Sequence, residues 1–202
     1  MLQESFTLKA HKPLPVDFYE RETAIVARDL LGKLVVRKTA NDIMTARIVE
    51  VEAYLGENDP ASHAYQGITP RCAIMFGRAG RAYVYLNYGV HCLLNVVAER
   101  EGCAGAILIR GLEPVSGIDT MMMNRPVEKV VDLTNGPGKL TKALQIDLRD
   151  NGLDITVEGS GLFIVNGAEE AFSIIESPRI GISAGTDMLL RFSIEGNPYV
   201  SR

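Results

Sequence analysis

Hydrophobic positions along the chain change period several times, and each change marks an element. Ala24, Val26, Ala27, Leu30 and Leu31 fall near helical spacing with Gly32 as a stop, which predicts a helix over about 16–31. Period two takes over at 33–38 (KLVVRK) and at 45–54, so both stretches read as strands. From Leu55 to about Gly80 the chain is rich in Gly, Pro, Asn and Asp, with few periodic apolar positions. A connection that long in a compact domain is usually functional or mobile. Two strand-like runs, Arg81–Leu86 and Val90–Ala98, flank Asn87-Tyr88-Gly89, a hairpin signal. A strand at Gly105–Arg110, a helix near 115–125 that includes Met121–Met123, and a helix after Asn135-Gly136-Pro137-Gly138 follow. From Ile155 the pattern returns to short strands, with turns at Gly159–Gly161 and Gly196-Asn197-Pro198, while residues 1–14 read as an extended arm. Strands connect by hairpins rather than alternating strictly with helices. The expectation is an α+β fold, one domain over 1–202 with a mainly antiparallel sheet.

Composition narrows the class. With 47% hydrophobic and 23% charged residues the chain is an ordinary globular one, long enough to bury a substantial core. No run of 18 apolar residues occurs, and the start MLQESFTLKAHKPLP lacks a basic segment leading into an apolar one. Neither a membrane span nor a secretory signal is expected. Cys72, Cys92 and Cys103 are odd in number and form no C-x-x-C pair, which points to a reducing, intracellular setting without a zinc site. A net charge of −4 argues mildly against a polyanionic partner. Basic residues nevertheless cluster locally: Arg71, Arg78 and Arg81 bracket the long loop, and Lys139 and Lys142 open the late helix.

The segment RIVEVEAY, Arg47–Tyr54, carries the first candidate chemistry. Val49 and Val51 share a face read as core, while Glu50 and Glu52 share the other with Ile48, about 6.5–7 Å apart by strand rise. Two acids on one rigid face can perform hydrolytic acid/base chemistry; by spacing alone, a solvated sheet face is the commoner outcome. By the same parity Tyr83 pairs with Tyr85, His91 with Leu93 and Asn95, and Ala106 with Leu108 and Arg110. Taken singly these are ordinary strand residues, and an Arg at a strand end is usually solvated. Together with Glu52, Tyr54 and His63 they suggest a flat aromatic ligand held by stacking. Tyr88 at a hairpin tip fits either a wedge between stacked bases or a ring folded back on its own hairpin. NGPGKLTKAL places glycines before a helix start, which suits an anion or a plain cap; its glycine spacing and Leu140 rule out a P-loop. H-E-x-x-H and a post-strand G-x-G-x-x-G are absent.

RIVEVEAYLG, DPASH at Asp59–His63, TPR at Thr69–Arg71, MFG at Met75–Gly77, YVYLNYG at Tyr83–Gly89, LLNVV at Leu93–Val97, LIRGLEP at Leu108–Pro114, NGPGKL and the terminal GNPYVS resemble one family. It is that of the single-domain alkyladenine (3-methyladenine) DNA glycosylases of mammals and bacteria, and the likeness runs from about residue 16 to the end. The resemblance implies a mixed α/β domain with a curved antiparallel sheet. It implies Glu52 as the general base for the attacking water and Arg110 as a residue that holds this water. Tyr54, His63 and Tyr85 would sandwich the flipped base, Leu108 would line the pocket, Asn95 would exclude guanine, and Tyr88 would fill the gap in the duplex. His91 and Val90 differ from the aromatic and Met of mammalian relatives, which bears on base preference and grip on DNA.

A base inside a stack is out of reach, so the nucleotide has to be extruded and read between aromatic surfaces. A carboxylate that directs water at the anomeric carbon then suffices, without metal, cofactor or lysine nucleophile. The expected partner is double-stranded DNA containing damaged purines, bound by a monomer, with Arg71, Arg78, Arg81, Lys139 and Lys142 as backbone contacts. Two other readings stay open on sequence. A small-molecule nucleoside hydrolase would use the same acid and rings, and a non-catalytic nucleic-acid-binding module would not need Glu52.

Overall fold

The computed structural model describes residues 12–40 and 42–201. In chain order its elements are α1 (Val16–Tyr19), α2 (Thr23–Leu30), β1 (Leu34–Lys38), β2 (Ile43–Tyr54), β3 (Ala82–Asn87), β4 (His91–Val97), β5 (Ala106–Ser116), α3 (Ile118–Asn124), α4 (Pro137–Ala143), β6 (Leu162–Val165), β7 (Ile174–Ser177) and β8 (Arg191–Ile194). Short 3₁₀ turns fill some of the connections. The strands form one curled antiparallel sheet in the order β3-β4-β5-β2-β1-β6, with β8 joined to β2 and β7 to β8, so the α+β expectation holds.

Strand β2 organises the sheet because its twelve residues serve three partners. One edge pairs with β5 along nearly its whole length; the other pairs first with β1 and then, over Glu50–Glu52, with β8. On one side of the sheet Val26 and Leu30 of α2, Met121 of α3 and Leu140 of α4 join Val51, Ile107, Ile109 and Phe192 in the main core. Period-two sequence puts alternate side chains of a strand on opposite faces, and here both faces are covered. Every residue from Ile48 to Ala53 is buried.

The reading of Glu50 and Glu52 as a solvated face is therefore overturned: both carboxylates are fully buried. What covers them comes from the far end of the chain, the segments around 178–182 and 197–201. The second segment lies so close that a Cβ on Gly111 would sit 2.7 Å from the Tyr199 carbonyl oxygen, so only glycine fits there.

Other boundaries moved for local reasons. The helix expected over 16–31 is broken at Glu20–Glu22, because Glu99 takes the Thr23 N–H at 2.7 Å and its hydroxyl at 2.8 Å, starting a new helix there. The strand expected at 105–110 runs on to Ser116, and the helix expected from 115 starts at Ile118, after Gly117 turns the chain at φ +68°. Of the extended arm at 1–14 only residues 12–14 lie among the described ones; Pro13 bridges to Val165 and the Leu14 N–H donates to Ile164.

Candidate active site

The floor of the site is a pair of offsets between β2 and β5. Ile48 faces Leu112, Glu50 faces Gly111 and Val51 faces Ile109, so Val49 on one strand and Arg110 on the other have no direct partner. Bulges of this kind re-aim side chains. Here the Arg110 guanidinium is brought between the two acids, its Nε 3.3 Å from Glu50 Oε1 and 3.3 Å from Glu52 Oε1. Arg110 is buried, not solvated as a strand-end Arg would be.

The two acids are ligated differently. Glu50 accepts from Arg191 Nε at 2.6 Å, the Ser201 hydroxyl at 2.9 Å, the Ser201 N–H at 2.6 Å and Arg110 Nε. A carboxylate offers about four acceptor positions, so Glu50 is saturated. Glu52 accepts from the Tyr54 hydroxyl at 2.7 Å and the Ile180 N–H at 2.7 Å, with Arg110 at 3.3 Å, which leaves one position open. All three of those neighbours line a cavity of about 400 Å³, and Glu52 lies directly behind them.

Aromatic rings build that cavity. Tyr83, Tyr85 and Asn87 project into it from β3, Leu93 and Asn95 from β4, and Ala106, Leu108 and Arg110 from β5, as period two places them. His63, from the long loop, stacks edge-on to Tyr85 at 4.8 Å between centroids and meets the Tyr83 hydroxyl through Nδ1 at 2.9 Å. Burial, and then the charge of Arg71, lowers the His63 pKa to about 4, so the ring is neutral near pH 7. Burial pushes Tyr83 up to about 12 and raises Tyr54 and Tyr85 as well, Tyr54 also through the Glu52 charge beside it. The Asn95 amide is fixed by donating to the Tyr83 carbonyl at 3.0 Å. What results is a slot with uncharged aromatic walls and one acid at its back.

A profile of methylpurine-DNA glycosylases matches residues 17–198. The chain belongs to that family. It is 49% identical over 188 residues to a protein of Prosthecochloris aestuarii, covering 92% of this chain and 89% of the relative. A protein of Koribacter versatilis is 45% identical over 94% of this chain and 93% of its own length, and one of Legionella pneumophila (strain Lens) is 45% identical over 95% and 99%. All three carry the name "Putative 3-methyladenine DNA glycosylase". The chain is thus a DNA N-glycosylase, and DNA is its substrate.

For a glycosylase the rim of the slot matters as much as its floor. Tyr88 lines the mouth and is 90% exposed, so the ring is not folded back on its hairpin. It stands at φ +48°, followed by Gly89 at φ +70°, in a three-residue connection closed by the Val90 N–H on the Asn87 carbonyl. Arg71 is exposed and sits over the Tyr85 ring at 5.0 Å. Lys139 donates to Asn135 at 2.7 Å and borders a second cavity next to Arg110, and Lys142 is exposed. Arg78 and Arg81 do not line the slot; both face Asp154, at 3.8 and 3.5 Å. His91 packs against Gly138, where a Cβ would meet its ring at 2.9 Å. The helix expected after NGPG starts inside it, at Pro137, and is only seven residues long; Pro137 lines the slot.

Several residues escaped the sequence reading. Asp59 and Arg179 form a fully buried, two-pronged ion pair at 2.5 and 2.7 Å, and Arg179 also lies over the Tyr54 ring at 4.7 Å. Asp59 further accepts the Leu55 and Ala61 N–H groups, so one carboxylate ties the long loop to the 178–182 segment that carries Ile180, Gly181 and Ile182 to the slot. Met75 also lines it. Asp59 and the terminal GNPYVS stood inside quoted motifs; nothing in SPRIGIS flagged Arg179. Among the described residues no group of three His, Cys, Asp or Glu side chains could hold a metal, and no helix is long and apolar enough to cross a membrane.

Proposed function

We propose that this glycosylase extrudes alkylated or deaminated purines (3-methyladenine, hypoxanthine and ethenoadenine are the candidates) from duplex DNA and hydrolyses the N-glycosidic bond with a water activated by Glu52. The product is an abasic site in an uncut strand, handed on to base excision repair. The observation that carries this is the single open acceptor position on a buried carboxylate directly behind an aromatic slot.

In this reading the flipped base lies among Tyr54, His63 and Tyr85, with Leu108 beside it. Neutral rings suit a cationic alkylated purine, which gains from electron-rich faces and would be repelled by a protonated imidazole. As the glycosidic bond breaks, its electron pair leaves with the base, and positive charge develops on the sugar. Water forms the new C–O bond from the Glu52 side, giving its proton to the Glu52 carboxylate, which also stabilises the oxocarbenium-like sugar. Arg110 orients that water. Among the described residues no lysine lines the slot, which supports a monofunctional enzyme without a Schiff-base step. Asn95 works by exclusion, crowding the amino group that guanine carries and hypoxanthine lacks. Tyr88 fills the vacated stack. Arg71, Lys139 and Lys142 meet backbone phosphates; Arg78 and Arg81 share Asp154 and contribute less. The enzyme acts as a monomer.

The test is base release from duplexes carrying each of the three lesions, with undamaged duplex and free nucleosides as controls. Release from at least one lesion duplex, with the strand left uncut, is expected. Binding should fall with salt at a log–log slope of about −0.9 per phosphate, for roughly three phosphates. Equal release from free nucleosides with a flat salt response would overturn the reading in favour of a nucleoside hydrolase.

A further inference from the structure

Of the two buried acids, Glu50 has no place in the chemistry just described, yet it holds more bonds than Glu52. We infer that Glu50, locked by Arg191 and Ser201, is a positioning residue that fixes the Arg110 guanidinium at a set distance from Glu52. The inference rests on Glu52 being the base.

An Arg side chain is long and rich in rotamers, so it does not hold one place by itself. Facing Glu52 alone, the Arg110 guanidinium would close into a tight pair and occupy the acceptor position that water needs. Its Nε instead lies 3.3 Å from each carboxylate, shared between them. Glu50 can act as the fixed counterweight because three donors besides Arg110 hold it: Arg191 Nε, the Ser201 N–H and the Ser201 hydroxyl. Arg191 comes from β8, which pairs with β2 over Glu50–Glu52, and Ser201 from the segment that crosses Gly111.

The Ser201 hydroxyl completes the arrangement. Arg110 Nη2 donates to it at 3.2 Å and it donates onward to Glu50 Oε1 at 2.9 Å, so its proton has one direction. Two carboxylates and two guanidiniums are balanced in charge. Glu50→Gln would leave two cations with one anion and draw Arg110 onto Glu52. The loss would fall on the chemical step, because neither Glu50 nor Arg191 lines the slot.

The experiment is single-turnover base release on whichever of the three lesion duplexes the wild-type protein cleaves fastest, with lesion affinity and thermal melting measured alongside. Glu50→Gln should release base ~10–100-fold more slowly, the scale of a displacement of about 1 Å at a reacting group, while lesion Kd changes less than ~3-fold and Glu50→Asp recovers part of the rate. In an Arg110→Lys background, Glu50→Gln should cost less than a further ~3-fold, because residues acting as one unit are not additive. A merely structural role would lower melting temperature and affinity together and add in full to Arg110→Lys, and that outcome overturns the inference. So does a folded Glu50→Gln at the wild-type rate. Should Glu50→Gln fail to fold, Ser201→Ala decides: a several-fold slower release at unchanged Kd supports the inference and an unchanged rate overturns it. A wild-type protein that releases no base, or a Glu52→Gln variant at full rate, would instead sink the underlying reading of Glu52.

Discussion

Glu52 lies in a strand behind the slot and Tyr88 at a hairpin tip of the same sheet, at the slot's mouth, yet the first is fully buried and the second is 90% exposed. Around Glu52 both acids are held by donors: Tyr54, Ile180 and Arg110 on one, Arg110, Arg191 and Ser201 on its neighbour. Around Tyr88 the hairpin tip offers open apolar surface, with Leu86 and Val90 also exposed. Buried charges have to be paired in a fixed geometry to be tolerated at all, so the floor is rigid by necessity. A ring in water carries no such requirement and is free to meet a partner. On the proposed roles, reaction geometry and substrate capture fall to the densest and the most open parts of a single sheet, and substitutions should separate them.

The largest effect belongs to the floor. Glu52→Gln should lose base release by roughly three orders of magnitude or more while lesion binding survives, since only an interaction made in the transition state is removed. Single-turnover release and a gel-shift Kd on the same duplex check this. Near-normal turnover would break the contrast, because the floor would then not be the reacting part.

Next comes the buried tie behind the floor. Asp59 and Arg179 are both completely buried, and removing one partner strands the other. Arg179→Met should therefore destabilise the protein by about 3–5 kcal/mol, measured by urea unfolding. It should also slow base release, since the 178–182 segment carries the Ile180 N–H bound to Glu52. A loss of under about 1 kcal/mol would mean that this corner is as loose as the rim.

How far such a contrast can be read in advance depends on the range of the interactions. The slot walls were legible because strand parity is local: Tyr83 with Tyr85, and Leu108 with Arg110, follow from period two. Glu52 and Tyr88 were marked by the family motifs, and geometry added burial to one and exposure to the other. By strand parity alone Glu50 was not separable from Glu52, because what distinguishes their surroundings is Arg191 and Ser201, 141 and 151 positions from Glu50. The unbroken helix over 16–31 failed for the same reason, since Glu99 caps Thr23 from 76 positions off. That Arg78 and Arg81 both face Asp154 was equally out of reach, since the clustering of basic residues says nothing of an acid more than 70 positions on.

Tyr88 tests the rim. Its φ of +48° is one that a side chain adopts at a cost, of the order of 1 kcal/mol or more. Tyr88→Gly should relieve that cost and leave the fold as stable as wild type or up to about 1 kcal/mol more so. The same change removes the ring proposed to fill the vacated stack, where unstacking costs a few kcal/mol. Lesion affinity should fall roughly 10–100-fold on every substrate alike. Stability up and binding down in one variant would sharpen the contrast; unchanged affinity would remove the wedge.

The smallest effect sits where floor and rim meet, at His63, which is half-buried between Tyr83, Tyr85 and the exposed Arg71. Burial first, and the Arg71 charge second, hold its pKa down from 6.5 to about 4. A depressed value means that the folded state prefers the neutral ring, so the unfolded chain takes up the proton first as pH falls. Its contribution to stability is complete above pH 6.5 and is lost progressively between 6.5 and about 4. Between pH 8 and 5.5 the ring should stay neutral, and binding of a cationic lesion should show no step from its titration. An NMR titration of the imidazole should find a midpoint nearer 4 than 6.5, and Arg71→Ala should move it upward, because that substitution removes the second of the two causes. A midpoint at or above 6 would mean that water reaches His63 freely, which would place it with the open rim and move the boundary of the desolvated region back toward Glu52.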